Sequence, residues 1–206
     1  MDLAAALTAF VVIFPAELPD KTMIATLVLA TRYRPWPVWT GVTAAFFVQC
    51  VVAVTVGGVL TLLPRQPVLG VAAVLFAIGG FVMFRGASRA AEAEAAEEQE
   101  FEQRVAARGA STHRAALVSF GVLFAAEWGD LSQLFTAGLV ARTGEPVSVF
   151  LGSWTALAVV AGLAVALGRT LTRRVSLAAV RRVAGALLVI IACLTAAEAL
   201  GVDLPG

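Results

Sequence analysis

The sequence predicts an all-α integral membrane protein of six transmembrane helices, arranged as two inverted three-helix repeats. Three observations carry that expectation. Hydrophobic residues fill 60% of the 206 positions and charged residues only 14%, a balance far from that of soluble domains. Uncharged stretches from Trp36 to Pro64, Gln66 to Phe84 and Pro146 to Gly168 each reach the ~20 residues with which a helix crosses ~30 Å of hydrocarbon. The chain also resembles itself when shifted by 110 positions.

The hydrophobic runs place helices at about 3 to 31, 37 to 63, 67 to 85, 115 to 141, 147 to 169 and 183 to 201. The first run is split by Glu17, Asp20 and Lys21 into pieces that are each too short to span. Its charges therefore lie at membrane depth, or the segment is re-entrant. The fourth run repeats the pattern, with Ala115 to Ala126 before the acids and Leu131 to Ala141 after them. Breakers end the helices elsewhere: Arg34-Pro35-Trp36-Pro37, Pro64-Arg65-Gln66-Pro67 and Thr143-Gly144-Glu145-Pro146. No basic leader or small-residue cleavage site precedes Glu17, so a cleaved signal peptide is not expected.

The resulting division is a first transmembrane repeat over 1–86, a charged linker over 87–113 and a second repeat over 114–206. The linker holds the run Ala91-Glu92-Ala93-Glu94-Ala95-Ala96-Glu97-Glu98, which reads as a solvated helix or disordered connection, with a cation-attracting loop as the sharper alternative. With six spans, the connections near 33, 100 and 175 share one face. That face carries Arg32, Arg34, Arg85, Arg89, Arg104, Arg108, Arg114, Arg169, Arg173, Arg174, Arg181 and Arg182, against Arg65 and Arg142 opposite. The positive-inside rule then makes the linker cytoplasmic and puts both termini outside. Abundant Ala, Val, Gly and Arg beside a single Lys suggest a GC-rich bacterial genome and hence the plasma membrane.

The 110-residue shift superposes Ala6 on Ala116, Glu17 on Glu127, Asp20 on Asp130, Thr22 on Ser132, Thr26 on Thr136 and Arg32 on Arg142. One added residue brings Gly41 onto Gly152. A three-helix unit duplicated in this way enters the bilayer in opposite senses. Inverted repeats of this kind place substrate near the midplane, at interrupted helices.

Glu17 and Asp20 are three residues apart, as are Glu127 and Asp130, so each pair occupies one helix face. An acid at membrane depth costs at least ~2.5 to 3.5 kcal/mol on insertion scales, which makes it a functional-site candidate. The plainer alternative is that each pair faces a water-filled vestibule or neutralises Lys21. Oxygen-only ligation suits Ca2+ and Mn2+, whereas the lack of His and Cys near the motifs disfavours Zn2+ and Cu+. Four ionised acids with Lys21 would carry −3, more than one divalent cation neutralises. Crowded carboxylates in a low dielectric retain protons, and cation binding releases them, a basis for proton exchange.

Auxiliary candidates are Lys21, Thr22, Ser132, Gln133 and Gln49. Thr22, Ser132, Thr26 and Thr136 serve equally well as glue between helices. Gln133 could share the face of Asp130, and Gln49 could line the path or bond across helices. Pro15 and Pro19 are expected to interrupt the first helix and free carbonyl oxygens, and Gly129 to permit a similar break. Cys50 and Cys193 read as small packing residues, and His113 as a solvated loop residue.

The hexapeptides Glu17-Leu18-Pro19-Asp20-Lys21-Thr22 and Glu127-Trp128-Gly129-Asp130-Leu131-Ser132 resemble the paired E-x-G-D-K/R-T/S signature of the Gdt-type cation transporters. That family includes Golgi manganese/calcium transporters and bacterial manganese exporters. Its six-helix plan with a charged central loop covers nearly the whole chain. The resemblance implies Mn2+ or Ca2+ carried against protons, the Glu and Asp of both motifs as metal ligands, and Thr22 and Ser132 as candidate auxiliary ligands. Pro19 stands where the signature has glycine and Leu131 where it has a basic residue, so Lys21 is the only cation of the two motifs.

The expected activity is secondary transport, exporting Mn2+ or Ca2+ in exchange for protons. The partners are the divalent ion and protons as substrates and the lipid bilayer, with no nucleic acid, and a homo-oligomer is compatible with the pattern. No resident cofactor and no enzymatic activity are expected, and no nucleotide-binding loop supports a pump acting alone. The alternatives are a six-helix exporter of cationic amino acids and an intramembrane enzyme using paired acids. The latter lacks a metal-histidine or nucleophile motif.

Overall fold

The computed structural model describes residues 1–18, 21–87, 114–167 and 176–202, with positions 96, 99 and 103 between them. Every regular element among these is a helix: α1 (Leu3–Glu17), α2 (Lys21–Arg32), α3 (Pro35–Leu60), α4 (Arg65–Gly86), α5 (Ala115–Ala126), α6 (Leu131–Thr143), α7 (Pro146–Leu167) and α8 (Leu177–Ala199). By length and composition, α3, α4, α7 and α8 can each cross a bilayer alone. α1 with α2, and α5 with α6, reach that length only as pairs bent by 68° and 73°. The chain is an integral membrane protein, and its six hydrophobic runs are four straight helices and two broken ones. His113 and nearly all of the acidic linker lie outside the described residues.

Four features differ from the sequence expectation. Pro15 does not interrupt the first helix, because α1 continues through it and closes its last turn with Leu18 N–H donating to Phe14 O at 3.1 Å. α3 and α4 begin two residues early. Pro35 occupies the first turn of α3, where a missing N–H costs nothing. α8 begins at Leu177 rather than near 183, capped by the Ser176 hydroxyl, which accepts from Ala179 N–H at 3.3 Å. Arg181 and Arg182 thus belong to a helix and not to the preceding loop.

The packing alternates between the two halves of the chain. α1 lies against α7, α5 against α3, and α3 against α7. Two glycines let the backbones approach: a Cβ on Gly41 would collide with the Ala116 carbonyl, and one on Gly152 with the Ala6 carbonyl. These are the residues that the internal repeat pairs, Ala6 with Ala116 and, after the one added residue, Gly41 with Gly152. The same correspondence holds for stacked rings, Phe10 on Phe14 at 5.4 Å and Phe120 on Phe124 at 5.5 Å. Since hydrocarbon offers no hydrophobic drive between helices, such close backbone contact is what holds them.

α4 and α8 form a second layer, joined where Gly80 and Gly185 pass each other. Their outer faces expose Val71, Val74, Ile78 and Phe81, and Val183 and Ile190, as lipid contact requires. The two helices lean to one side: α4 packs on α6 and α8 on α1, and neither packs appreciably on α2 or α5 among the described residues. At the far ends of α6 and α8, Arg142 Nη2 and Nε donate to Glu198 Oε1 at 2.7 and 3.1 Å.

Candidate cation site at the two helix breaks

The second break is described in full. Glu127 ends α5 with φ −100° and ψ 7°, its N–H bonded to Leu123 O at 3.0 Å. Asp130 N–H donates back to Glu127 O at 3.3 Å, and Gly129 closes this turn at φ +80°. That conformation is natural to glycine and strained for residues with a Cβ. Asp130 then caps α6 in an extended conformation. The break is therefore written into the Glu-x-Gly-Asp order. Trp128 projects outward, 60% exposed, with its ring 5.0 Å from Phe124.

Gln133 braces the turn. Its Nε2 donates to Glu127 O at 2.6 Å, and its Oε1 accepts from Gly129 N–H at 3.4 Å. Both ends of the amide are committed to the motif's backbone, so Gln133 positions the site. The sequence offered it as a ligand, since three-residue spacing shows a shared face but not a backbone partner.

The first break is described up to Leu18 and again from Lys21; Pro19, Asp20 and the Lys21 side chain lie outside the described residues. Glu17 and Glu127 are each 2% exposed. Gln49 and Cys50 lie midway along α3, where Gln49 Nε2 donates to Phe124 O at 3.3 Å, about one turn before Glu127. Midway along a spanning helix is mid-bilayer depth. Gln49 thus ties α3 to the end of α5, and Cys50 is a buried packing residue, whereas Cys193 is exposed.

Thr22 is fully buried, and its hydroxyl makes no hydrogen bond among the described residues; Ser132 is buried at 9% exposure. Thr22 therefore offers lone pairs to a ligand. Thr26 and Thr136 serve packing, Thr26 Oγ1 donating to Thr22 O at 2.8 Å and Thr136 Oγ1 to Ser153 Oγ at 3.3 Å.

Asp130 is half-buried and lines a cavity of about 170 Å3 with Ala16, Gly86, Leu131 and Arg181. Arg181 also donates to Gly86 O at 3.1 Å. Sequence reasoning missed Arg181 because its charge marked it as loop. Its partner in the cavity is the motif position where Leu131 replaces a basic residue. Among the described residues no three His, Cys, Asp or Glu side chains converge closely enough to hold one ion; Asp20 is not among them.

An all-helical membrane chain whose two broken helices bury one glutamate each at mid-depth has the build of a secondary ion transporter. The family model for the divalent cation/proton antiporter GDT1 matches residues 5–91 and 115–203, and the chain belongs to that family, which comprises transporters rather than enzymes. It is 29% identical over 189 residues to GDT1-like protein 4 of Oryza sativa subsp. indica, covering 85% of this chain and 66% of that protein. It is 30% identical over 193 residues to GDT1-like protein sll0615 of Synechocystis sp. (strain ATCC 27184 / PCC 6803 / Kazusa), covering 88% and 93%. Against the chloroplastic protein PAM71 of Arabidopsis thaliana it is 30% identical over 213 residues, covering 93% and 56%. The chain thus spans slightly under two thirds of the rice protein. No solved structure matches it.

Proposed function

We propose that this chain exchanges a hard divalent cation, Mn2+ or Ca2+, for protons, at a site drawn from Glu17, Asp20, Glu127 and Asp130. The observation that carries this reading is the pair of fully buried glutamates at two helix breaks, in a member of a divalent cation/proton antiporter family. Carboxylate and hydroxyl oxygens suit Mn2+ and Ca2+, with Thr22 and Ser132 as auxiliary donors and Lys21 as a fixed counter-charge. The ion binds transiently as substrate, and no resident cofactor takes part.

Coupling follows from charge. Buried acids are costly to leave ionised in the absence of a cation, so protons occupy the site when the ion leaves and depart when it returns. The two repeats, 1–86 and 114–206, are inverted about this site, a reading supported by the reciprocal contacts Gly41–Ala116 and Gly152–Ala6. With both termini outside and the 87–113 linker cytoplasmic, α1 and α6 fill the outer half and α2 and α5 the inner half. α4 and α8 then close the outer side, and the Asp130 cavity lies toward the cytoplasm. This is the conformation for loading a cytoplasmic ion, which fits export across the plasma membrane.

The test is Mn2+ and Ca2+ flux in proteoliposomes with an imposed pH gradient. Wild type is expected to move both cation and protons, and Glu17→Gln and Glu127→Gln to move neither while remaining folded. Unchanged flux in both variants would overturn the site, and cation flux indifferent to pH would overturn the exchange.

A further inference from the structure

The α3–α4 turn and the end of α6 each contribute one arginine, Arg65 and Arg142, to a cavity of about 230 Å3. No carboxylate lines it, and among the described residues none pairs with Arg65. Arg142 commits two of its N–H groups to Glu198, and a guanidinium has five. The cavity therefore presents one uncompensated charge and further donors at the level where these helices reach the membrane surface.

This pocket shares Leu60, Leu63, Val68 and Ala141 with a larger cavity of about 360 Å3, lined throughout by apolar residues of α3, α4, α6 and the α3–α4 turn. The larger cavity runs down α4 from Pro67 to Leu75 and faces the bilayer, with Val56 and Val71 at least half exposed. From Arg65 to Leu75 a helix rises about 15 Å at ~1.5 Å per residue, the depth of one leaflet of a ~30 Å hydrocarbon core. A basic pocket continuous with an apolar cleft one leaflet deep has the shape and polarity of a phospholipid.

We propose that this composite cavity binds one anionic phospholipid, its phosphate on Arg65 and the remaining donors of Arg142, and one acyl chain in the cleft between α4 and α6. The site is separate from the helix breaks.

The test is native mass spectrometry of the full chain from micelles holding equal phosphatidylglycerol and phosphatidylcholine with matched chains. One phosphatidylglycerol per chain is expected to be retained, about tenfold ahead of phosphatidylcholine, a difference of about 1.4 kcal/mol. Arg65→Gln removes the preference and Arg65→Lys keeps it. Val71→Trp fills the cleft and removes retention of both lipids, and glycerol phosphate, which has no chains, does not compete. Equal retention of the two lipids by wild type would overturn the proposal. So would unaltered retention in both Arg65→Gln and Val71→Trp, or displacement by glycerol phosphate, which would mean an anion pocket alone.

Discussion

Gln133 shows how a break in a membrane helix is kept in one shape. Its amide bonds both the Glu127 carbonyl, which also accepts from Asp130 N–H, and the Gly129 N–H with one side chain. Gln133→Leu removes both of the amide's bonds to the turn, one of them part-buried, and is expected to lower stability by about 0.5–1.5 kcal/mol. Cation flux falls with it, because Glu127 and Asp130 lose their relative position; thermal denaturation and flux assays on the purified variant check both. Arg181 is the second residue to examine. Arg181→Leu removes the cation that shares a cavity with Asp130 and is expected to alter the KM for Mn2+, with Leu131→Arg in the same chain moving it back toward wild type. At this scale the acids were legible, since charge in a hydrophobic run identifies itself. Gln133 and Arg181 were legible as residues but not as roles, because one binds backbone and the other comes from a distant helix.

Among the elements, the broken helices were anticipated from the lengths of their apolar pieces, and Gly129 as a residue that permits the second break; its positive φ is what the structure adds. The first break falls at the acids, as expected, but Pro15 takes no part in it, since α1 still closes its last turn around that residue. The start of α8 was missed because Ser176, its cap, stands among arginines that read as loop. The sequence repeat paired Gly41 with Gly152, but a repeat says nothing of which helix each glycine touches. Their contacts give a sharp expectation. Gly41→Ala and Gly152→Ala each force a carbonyl away and are expected to cost about 3 kcal/mol, an overpacking penalty. Gly70→Ala meets nothing within 4 Å and is expected to gain about 0.5–1 kcal/mol from helix propensity. Thermal unfolding in one detergent compares the three.

For the whole molecule, the lean of α4 and α8 sets which side of the membrane reaches the breaks. The Arg142–Glu198 ion pair ties the ends of α6 and α8 together, with both side chains only 17% exposed, so screening weakens it less than a surface pair. Leu131→Cys, in a chain with Cys50→Ser and Cys193→Ser, is expected to react with an impermeant thiol reagent from the linker side only. Adding Glu198→Gln releases the tie and is expected to allow labelling from the termini side as well. Labelling from both sides without that second change would refute the assigned conformation. The six hydrophobic runs and the arginine bias of their connections were readable from the sequence. The lean was not, because it depends on contacts between helices far apart in the chain.

Trp128, set against Phe124 on the turn between Glu127 and Asp130, gives the site an optical reporter of its own. The other tryptophans are occupied elsewhere: Trp36 and Trp39 stack at 5.1 Å, and Trp39 and Trp154 bond to carbonyls of the opposite half. A chain with Trp36, Trp39 and Trp154 replaced by Phe would emit from the second break alone. Ion occupancy and the closing of that turn would then be readable as a change in fluorescence, one turnover at a time.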